Sequence, residues 1–308
     1  MTFEHVFDEM EISADPFALC ELPGRSSLGL AGLPRATLHY VLAGCGELVC
    51  RGRPPIALDR GTLVLIPALH AHTLRGFVGH SHPLPDCHPA ELGLAAHLGE
   101  ADDAAGGDIG GGKLLAICSR VSIGIRGTQG LVDLVREPIV EAIGEDDAIR
   151  GPVDRLLREL SLPSLGGRAL VRTLLLECMI HLLRGRLQAG DQALNWMAAL
   201  TDERLWTALK RMLEAPGDPH TVESLAMAAG MSRSTFASRF SAACGRGSME
   251  LLRELRMHHA ASLLAQSDLP VKRVADLVGF HSRSAFSRTF SSATGLSPQQ
   301  FRNAQNRA

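Results

Sequence analysis

Two clusters of Ser and Arg, about fifty residues apart, are the residues of this sequence best suited to recognising another molecule. Ser232, Arg233, Ser234, Thr235, Ser238 and Arg239 form the first, and His281, Ser282, Arg283, Ser284, Ser287 and Arg288 the second. A guanidinium can donate two parallel hydrogen bonds to a guanine edge. A Ser hydroxyl can serve either kind of base edge, and both groups can hold phosphate. The charge distribution agrees with a nucleic-acid partner. From Thr221 onward there are 11 Lys/Arg and 5 Asp/Glu, whereas the preceding residues hold 20 and 28. An acidic module joined to a basic one points to DNA contact by the basic end.

The elements that must present these side chains are repeated. Phe236 and Phe286, Phe240 and Phe290, and Gly245 and Gly295 are each 50 residues apart, and Gly230 and Gly279 are 49 apart. In each copy a short helix is expected to end at a glycine able to take the left-handed conformation. In the first copy that helix turns Val222, Leu225 and Ala226 to the core. Ser232 is then placed to cap the next helix, which buries Phe236 and Phe240 and leaves the polar set outside. In the second copy His281 or Ser282 can cap, and Phe286 and Phe290 are buried. A long helix from Ser248 to Gln266 separates the copies, with Ser248 expected to cap it. This is the pattern of two helix-turn-helix units.

The rest of the chain reads differently. Its 308 residues suggest two domains, and 45% hydrophobic with 21% charged residues fits an ordinary globular protein. Short apolar runs at Thr37 to Leu42, Glu47 to Arg51 and Thr62 to Ile66 are punctuated by Gly and Pro, as in an all-β unit. His80 to Gly112 reads as a long loop, and Lys113 to Ile125 returns to strand character. Helical spacing is expected after Leu131. One helix carries Val153, Leu156, Leu157 and Leu160. A second, Arg168 to Leu187, carries Val171, Leu174, Leu175, Cys178 and Leu182 on one face, a stripe suited to pairing two subunits in a homodimer. A third covers Asp202 to Leu213 and ends at Pro216-Gly217-Asp218-Pro219, the clearest boundary in the composition. Grouped with the basic C-terminal segment, that helix gives domains of 1–199 and 200–308. No apolar run approaches the ~20 residues that cross a bilayer. The N-terminus, with Glu4, Asp8, Glu9 and Glu11, is too acidic for a signal peptide, so the expected compartment is the cytoplasm. Seven cysteines without a CxxC pair argue against a disulfide framework and a zinc ribbon.

With these residues in view, the stretch Thr221 to Asn303 resembles the AraC/XylS DNA-binding domain. The likeness rests on Gly279-Phe280-His281-Ser282-Arg283-Ser284-Ala285-Phe286-Ser287-Arg288-Thr289-Phe290, on Gly295-Leu296-Ser297-Pro298 with Phe301-Arg302, and on Met231 to Phe236 in the first copy. Where that family has Ser-Pro after the first copy's glycine, this chain has Gly247-Ser248. Thr37 to Ile125 resembles the cupin-like sensor of one branch of the family. The matching features are His39 in a strand, the buried strand between Gly61 and Pro67, and His72. The implied fold is α+β: an N-terminal cupin-like β-barrel with following helices, then an all-α domain with two helix-turn-helix units. The implied function is a sequence-specific transcription regulator of the AraC/XylS type, with double-stranded promoter DNA and RNA polymerase as partners. A small molecule or an oxidant would act on it through the barrel, and no membrane or cofactor is expected.

A barrel can enclose a ligand, which makes His39 and His72 candidate pocket residues. The alternative is a cupin-type metal enzyme with a DNA-binding tail. That reading is opposed by the missing His-x-His, since Val41 follows His39 at the paired position. Leu69 also stands where the second cupin motif usually has glycine. His80, His82, Cys87 and His88 are read as loop residues, so no metal and no catalysis are expected. Cys20 and Cys118 occupy places similar to reactive cysteines of hypochlorite-responsive members of the sensor branch. They are the candidates for redox sensing.

Overall fold

The computed structural model describes residues 3–77, 84–90, 94, 113–125, 128, 134–162 and 164–305. Eleven strands precede most of the described helices. They are β1 Met10–Ala14, β2 Ala18–Leu22, β3 Ser27–Leu30, β4 Ala36–Ala43, β5 Gly46–Cys50, β6 Ile56–Leu58, β7 Thr62–Ile66, β8 His72–Gly76, β9 Asp86–Pro89, β10 Leu114–Ile125 and β11 Ile139–Ala142. A short α1, Phe3–Asp8, opens the chain. A seven-stranded sheet runs β11-β7-β4-β10-β2-β9, and a four-stranded sheet runs β3-β8-β5-β6. The twelve-residue β10 organises the larger sheet. One edge pairs with β4, while the other takes β2 along Leu114–Cys118 and β1 along Val121–Ile125.

Alternation of side chains sorts the larger sheet into two apolar layers. Leu19, Leu38, Tyr40, Leu63, Leu65, Leu115 and Ile117 lie in one, packed with the helices that follow the strands. Cys20, Leu22, Val41, Val64, Ile66, Ala116 and Cys118 lie in the other, with Leu48, Leu58 and Leu74 of the smaller sheet. This double covering explains why every residue of Thr-Leu-Val-Leu-Ile in β7 is buried.

Two segments differ from the sequence reading. Asp86–Pro89 is a strand on the outer edge of β2, in a region that reads as loop; residues 80–83, 91–93 and 95–112 of that expected loop lie outside the described residues. Helical spacing is expected after Leu131, but 139–142 pair with β7 as β11, and the helices begin at Arg150. Ile139, Val140, Ala142 and Ile143, broken only by Glu141, satisfy either pattern when a sheet edge is free to accept them.

Helices α2 (Arg150–Ser161) and α3 (Gly167–Gln188) cover the outer face of the sheet. Leu175, Cys178, Met179, Leu182 and Leu183 of α3 are consumed by the chain's own core. The stripe read as a subunit interface is therefore covered from within. A 3-10 turn, Gln192–Met197, and α4, Ala198–Thr201, lead into α5, Glu203–Glu214, which Asp202 caps by accepting from the N–H groups of Arg204 and Leu205. The C-terminal helices are α6 Val222–Ala228, α7 Arg233–Cys244, α8 Ser248–Gln266, α9 Val271–Leu277, α10 Arg283–Thr294 and α11 Pro298–Gln305. Gly247, not Ser248, takes the cap position of α8; Ser248 is buried in the first turn and makes no capping bond. No helix among the described residues is long and apolar enough to cross a membrane.

The two helix-turn-helix units attach to the N-terminal domain unequally. Leu225, Phe236, Phe240 and Leu251 of the first share one continuous core with Trp206, Leu209 and the helices on the barrel. Phe286, Phe290 and Phe301 of the second form a separate core with Met257, Ala260, Ala261 and Leu264. Among its buried members, Leu69 alone comes from the barrel.

Candidate nucleic-acid interface and sensor cluster

The polar residues read as base or phosphate contacts sit on α7 and α10 in matching positions. Gly230 and Gly279 have φ of 60° and 76°, the left-handed values that let the preceding helices stop. Ser232 and Ser282 then cap α7 and α10 by accepting from the N–H groups of Thr235 and Ala285. In the second copy Ser282, and not His281, is the cap. Phe236, Phe240, Phe286 and Phe290 are fully buried. Opposite them, Ser232, Arg233, Ser234, Thr235, Ser238 and Arg239 are exposed, as are His281, Ser282, Arg283, Ser284 and Arg288; Ser287 is half-buried.

Electrostatics separates the arginines. Arg233 pairs with Glu223 of α6 at 2.7 Å, with both side chains largely exposed. Such a pair is weak in water and exchanges readily for phosphate. Arg239 lies 3.7 Å from Asp202 and faces α5. Arg283 and Arg288 have no acidic partner within 4 Å among the described residues, so the second unit offers two uncommitted guanidinium groups.

In the barrel, the sheet order brings four sequence-distant groups onto one face of the larger sheet. His39 on β4 lies opposite Cys118 on β10. Cys20 on β2 is diagonal to Cys118 and directly opposite Cys87 on β9. His72, at the start of β8 in the smaller sheet, faces His39 across the interior. The resulting contacts are Cys118 Sγ to His39 Nδ1 at 2.9 Å, His39 Nε2 to His72 Nε2 at 2.8 Å, and Cys87 Sγ to Cys20 Sγ at 2.7 Å. Sequence reasoning selects Cys20 and Cys118 and takes Cys87 for a loop residue. The structure sets Cys87 against Cys20 and gives Cys118 to His39.

The direction of each hydrogen bond follows by elimination. His72 Nδ1 lies 3.0 Å from the His70 carbonyl, which can only accept. A neutral His72 then accepts at Nε2, so His39 Nε2–H donates to it, and His39 Nδ1 accepts from the Cys118 thiol. Burial holds His39 down to about 4 and, with help from His39, holds His72 down to about 3, so both rings are uncharged at neutral pH. The hydrogen bond to Cys118 is the largest cause raising Cys20, opposed in part by Cys87, while the bond to Cys20 and burial raise Cys87. Both are thiols at rest. Cys20 is buried and Cys87 exposed.

His39 and His72 therefore face each other and not an open pocket; they are 0% and 3% exposed. Among the described residues no group of three or more His, Cys, Asp or Glu could hold a metal ion. A cleft of about 700 Å³ lies elsewhere, between barrel and C-terminal helices, and Arg53, His70, Arg136, Trp196, Glu254 and His258 contribute to its walls.

Known proteins share both halves of this architecture. Residues 2–188 match the family described as Cupin, and residues 225–304 match that described as Helix-turn-helix domain. The HTH-type transcriptional regulator AlkR of Acinetobacter baylyi is 24% identical over 96% of this chain and 97% of its own length. The RCS-specific HTH-type transcriptional activator RclR of Escherichia coli is 38% identical over 35% of this chain and 38% of its own. ToxT from Vibrio cholerae superposes with a TM-score of 0.51 at 9% identity, over 95% of this chain and 98% of that one.

Proposed function

We propose, because this chain belongs to the cupin family and is an AraC-type helix-turn-helix transcription regulator, that it reads promoter DNA chiefly through Arg283 and Arg288 and that its barrel responds to an oxidant. The observation carrying the first part is the pair of capped, outward-facing helices α7 and α10, of which only α10 has uncommitted arginines. Residues 1–199 act as the sensor and 200–308 as the DNA-binding domain, in the cytoplasm. RNA polymerase is the partner at the promoter. A second copy of the chain pairs with it, for which the exposed Leu162, Leu165 and Leu170 at the α2–α3 corner offer apolar surface. The barrel acts as sensor and not as catalyst, a reading supported by His39 and His72 spending their ring nitrogens on Cys118, on each other and on the His70 carbonyl.

Oxidant sensing rests on the cross-strand pair Cys20–Cys87. Directly opposed residues of antiparallel strands stand ~4.5–5.5 Å apart at Cα, within the range a disulfide spans. The exposed Cys87 thiol meets hypochlorous acid first, giving a sulfenyl chloride and water. Cys20 then attacks that sulfur, forming the disulfide and releasing chloride and a proton. The E. coli relative is called RCS-specific, which favours this class of oxidant. Cys118 is the alternative partner, since it lies diagonally across from Cys20 on the neighbouring strand.

The test compares wild type, Cys20→Ser, Cys87→Ser and Cys118→Ser before and after dilute hypochlorite, following DNA affinity and mass-mapped thiols. Loss of the response in the first two variants, with a Cys20–Cys87 disulfide still formed in the third, is the expected result. Identical responses in all four would remove the cysteines and favour a small-molecule effector in the 700 Å³ cleft.

A further inference from the structure

The turn between β7 and β8 carries an unusual residue. Leu69 has φ 65°, the only positive φ outside glycine among the described residues. It stands where the resembling cupin motif has glycine. A branched side chain at such a φ persists only when its surroundings hold it. Here they do. The Leu69 N–H donates to the Leu33 carbonyl at 2.7 Å. Gly32 lies so close that a Cβ there would clash with the Leu69 carbonyl oxygen. The Leu69 side chain is 7% exposed and belongs to the buried apolar cluster of the second helix-turn-helix unit, whose members include Met257, Ala261 and Leu264.

One residue further on, the His70 carbonyl accepts the Nδ1–H of His72, the end of the chain that begins at the Cys118 thiol. We propose that the Pro67–His70 turn couples this buried Cys118–His39–His72 chain to the second helix-turn-helix unit, with Leu69 as the transmitting side chain. The proposal rests on the barrel governing DNA binding, and not on which effector does so.

The physical content is a turn with two arrangements. In the observed one, His72 anchors the His70 carbonyl and Leu69 is held left-handed inside the C-terminal core. When the anchor is lost, the turn can relax to negative φ, which swings the side chain out of that core. The first unit cannot follow, because its core is continuous with the helices on the barrel. Only the second unit is released. Two recognition helices fit successive major grooves only at a separation of about 34 Å, so moving one against the other changes affinity without touching any base contact. Other groups join the barrel to this side. Arg136 reaches Glu254 of α8 at 3.3 Å, and Arg51 approaches Gly295. Both are charged side chains at exposed positions, able to follow a shift that Leu69 cannot.

The experiment is a double-mutant cycle in the full chain, using a duplex selected in vitro by the wild-type protein. His72→Gln and Leu69→Gly are made singly and together, because glycine accepts the backbone conformation while removing the side chain. Affinity is read by fluorescence anisotropy, and amide hydrogen exchange is read across residues 257–301. His72→Gln should change Kd by about fivefold or more, the usual scale of coupling between sites, and should raise exchange in α9 to α11. In the Leu69→Gly background the same change should have no further effect on either readout. Cys118→Val, which removes the donor to His39 at similar volume, replaces His72→Gln if that variant does not fold. Additive effects, or an upstream change that leaves exchange across 257–301 untouched, would overturn the proposal. Hypochlorite applied to wild type reads the oxidant alone: no response there, beside a non-additive cycle, rejects the oxidant and keeps the coupling.

Discussion

The buried imidazole pair should make the protein acid-sensitive in a range where ordinary carboxylates are still ionised. Folded His39 and His72 titrate at about 4 and about 3, because burial disfavours their charged forms, while the same rings in an unfolded chain titrate near 6.5. The unfolded state therefore binds more protons as pH falls, and stability drops with it. The contribution is complete above about pH 6.5 and drains away down to about pH 3. Between pH 7 and pH 5 each ring costs about 2 kcal/mol, by integrating the difference in bound protons. The pair together approaches 4 kcal/mol, a large part of the 5–15 kcal/mol that holds a typical domain. For a chain of this size that is a fall in Tm of roughly 10 °C. The assay is thermal unfolding of wild type and of a His39→Gln/His72→Gln variant at half-unit steps from pH 7.5 to 5. The remaining eleven histidines and all carboxylates are common to both proteins. The difference in slope thus isolates the pair, whatever the variant's starting stability. Parallel Tm profiles would refute the assignment of neutral, buried rings and with it the hydrogen-bond directions derived from them.

Arg283→Ala and Arg288→Ala should each cost ~1–3 kcal/mol in specific DNA binding and relax preference at one base position. Arg239→Ala, whose side chain faces Asp202, should cost little; equal losses at all three positions in anisotropy titrations would contradict the electrostatic separation of these arginines. Affinity of the full chain should fall steeply and linearly in log–log form between about 50 and 200 mM salt, since its basic face displaces counterions; a flat dependence would count against phosphate contact by α7 and α10. Leu175→Ala should destabilise the sensor by about 2–5 kcal/mol by opening a cavity in its core, while leaving the sedimentation coefficient at micromolar concentration unchanged.

The C-terminal domain is almost wholly legible in the sequence because its signals are local. A capping serine, a turn glycine and two phenylalanines four apart report on residues within one or two helical turns, and the duplication states each signal twice. The α8 cap escapes such reading because Gly247 and Ser248 can both begin a helix, and the choice falls to burial of Ser248. The sensor is legible as strands but not as a site. His39, Cys118, Cys20 and Cys87 share a face only once the order β4-β10-β2-β9 and its registers are known, and those pairings join residues up to 100 apart.

One signal in the sequence could have pointed to Cys87. A register shift of one residue would turn its side chain away from Cys20, so the informative fact is the alternation in β2, where Leu19 and Cys20 lie in opposite apolar layers. Cys20 is thereby committed to the barrel interior, and any strand added at the free edge of β2 must bring a side chain to it. Cys87 is followed closely by Pro89. A proline suits an edge strand, where no ladder hydrogen bond need be donated outward. Leu69 shows the opposite limit. Its identity at a position that wants glycine is visible at once, but its meaning is not, because the compensating contacts belong to Gly32, Leu33 and a helical core nearly two hundred residues away. A residue that breaks a local rule is informative only when the long-range partner that holds it is known. Here that partner is the half of the DNA-binding domain that the sensor's own core does not reach.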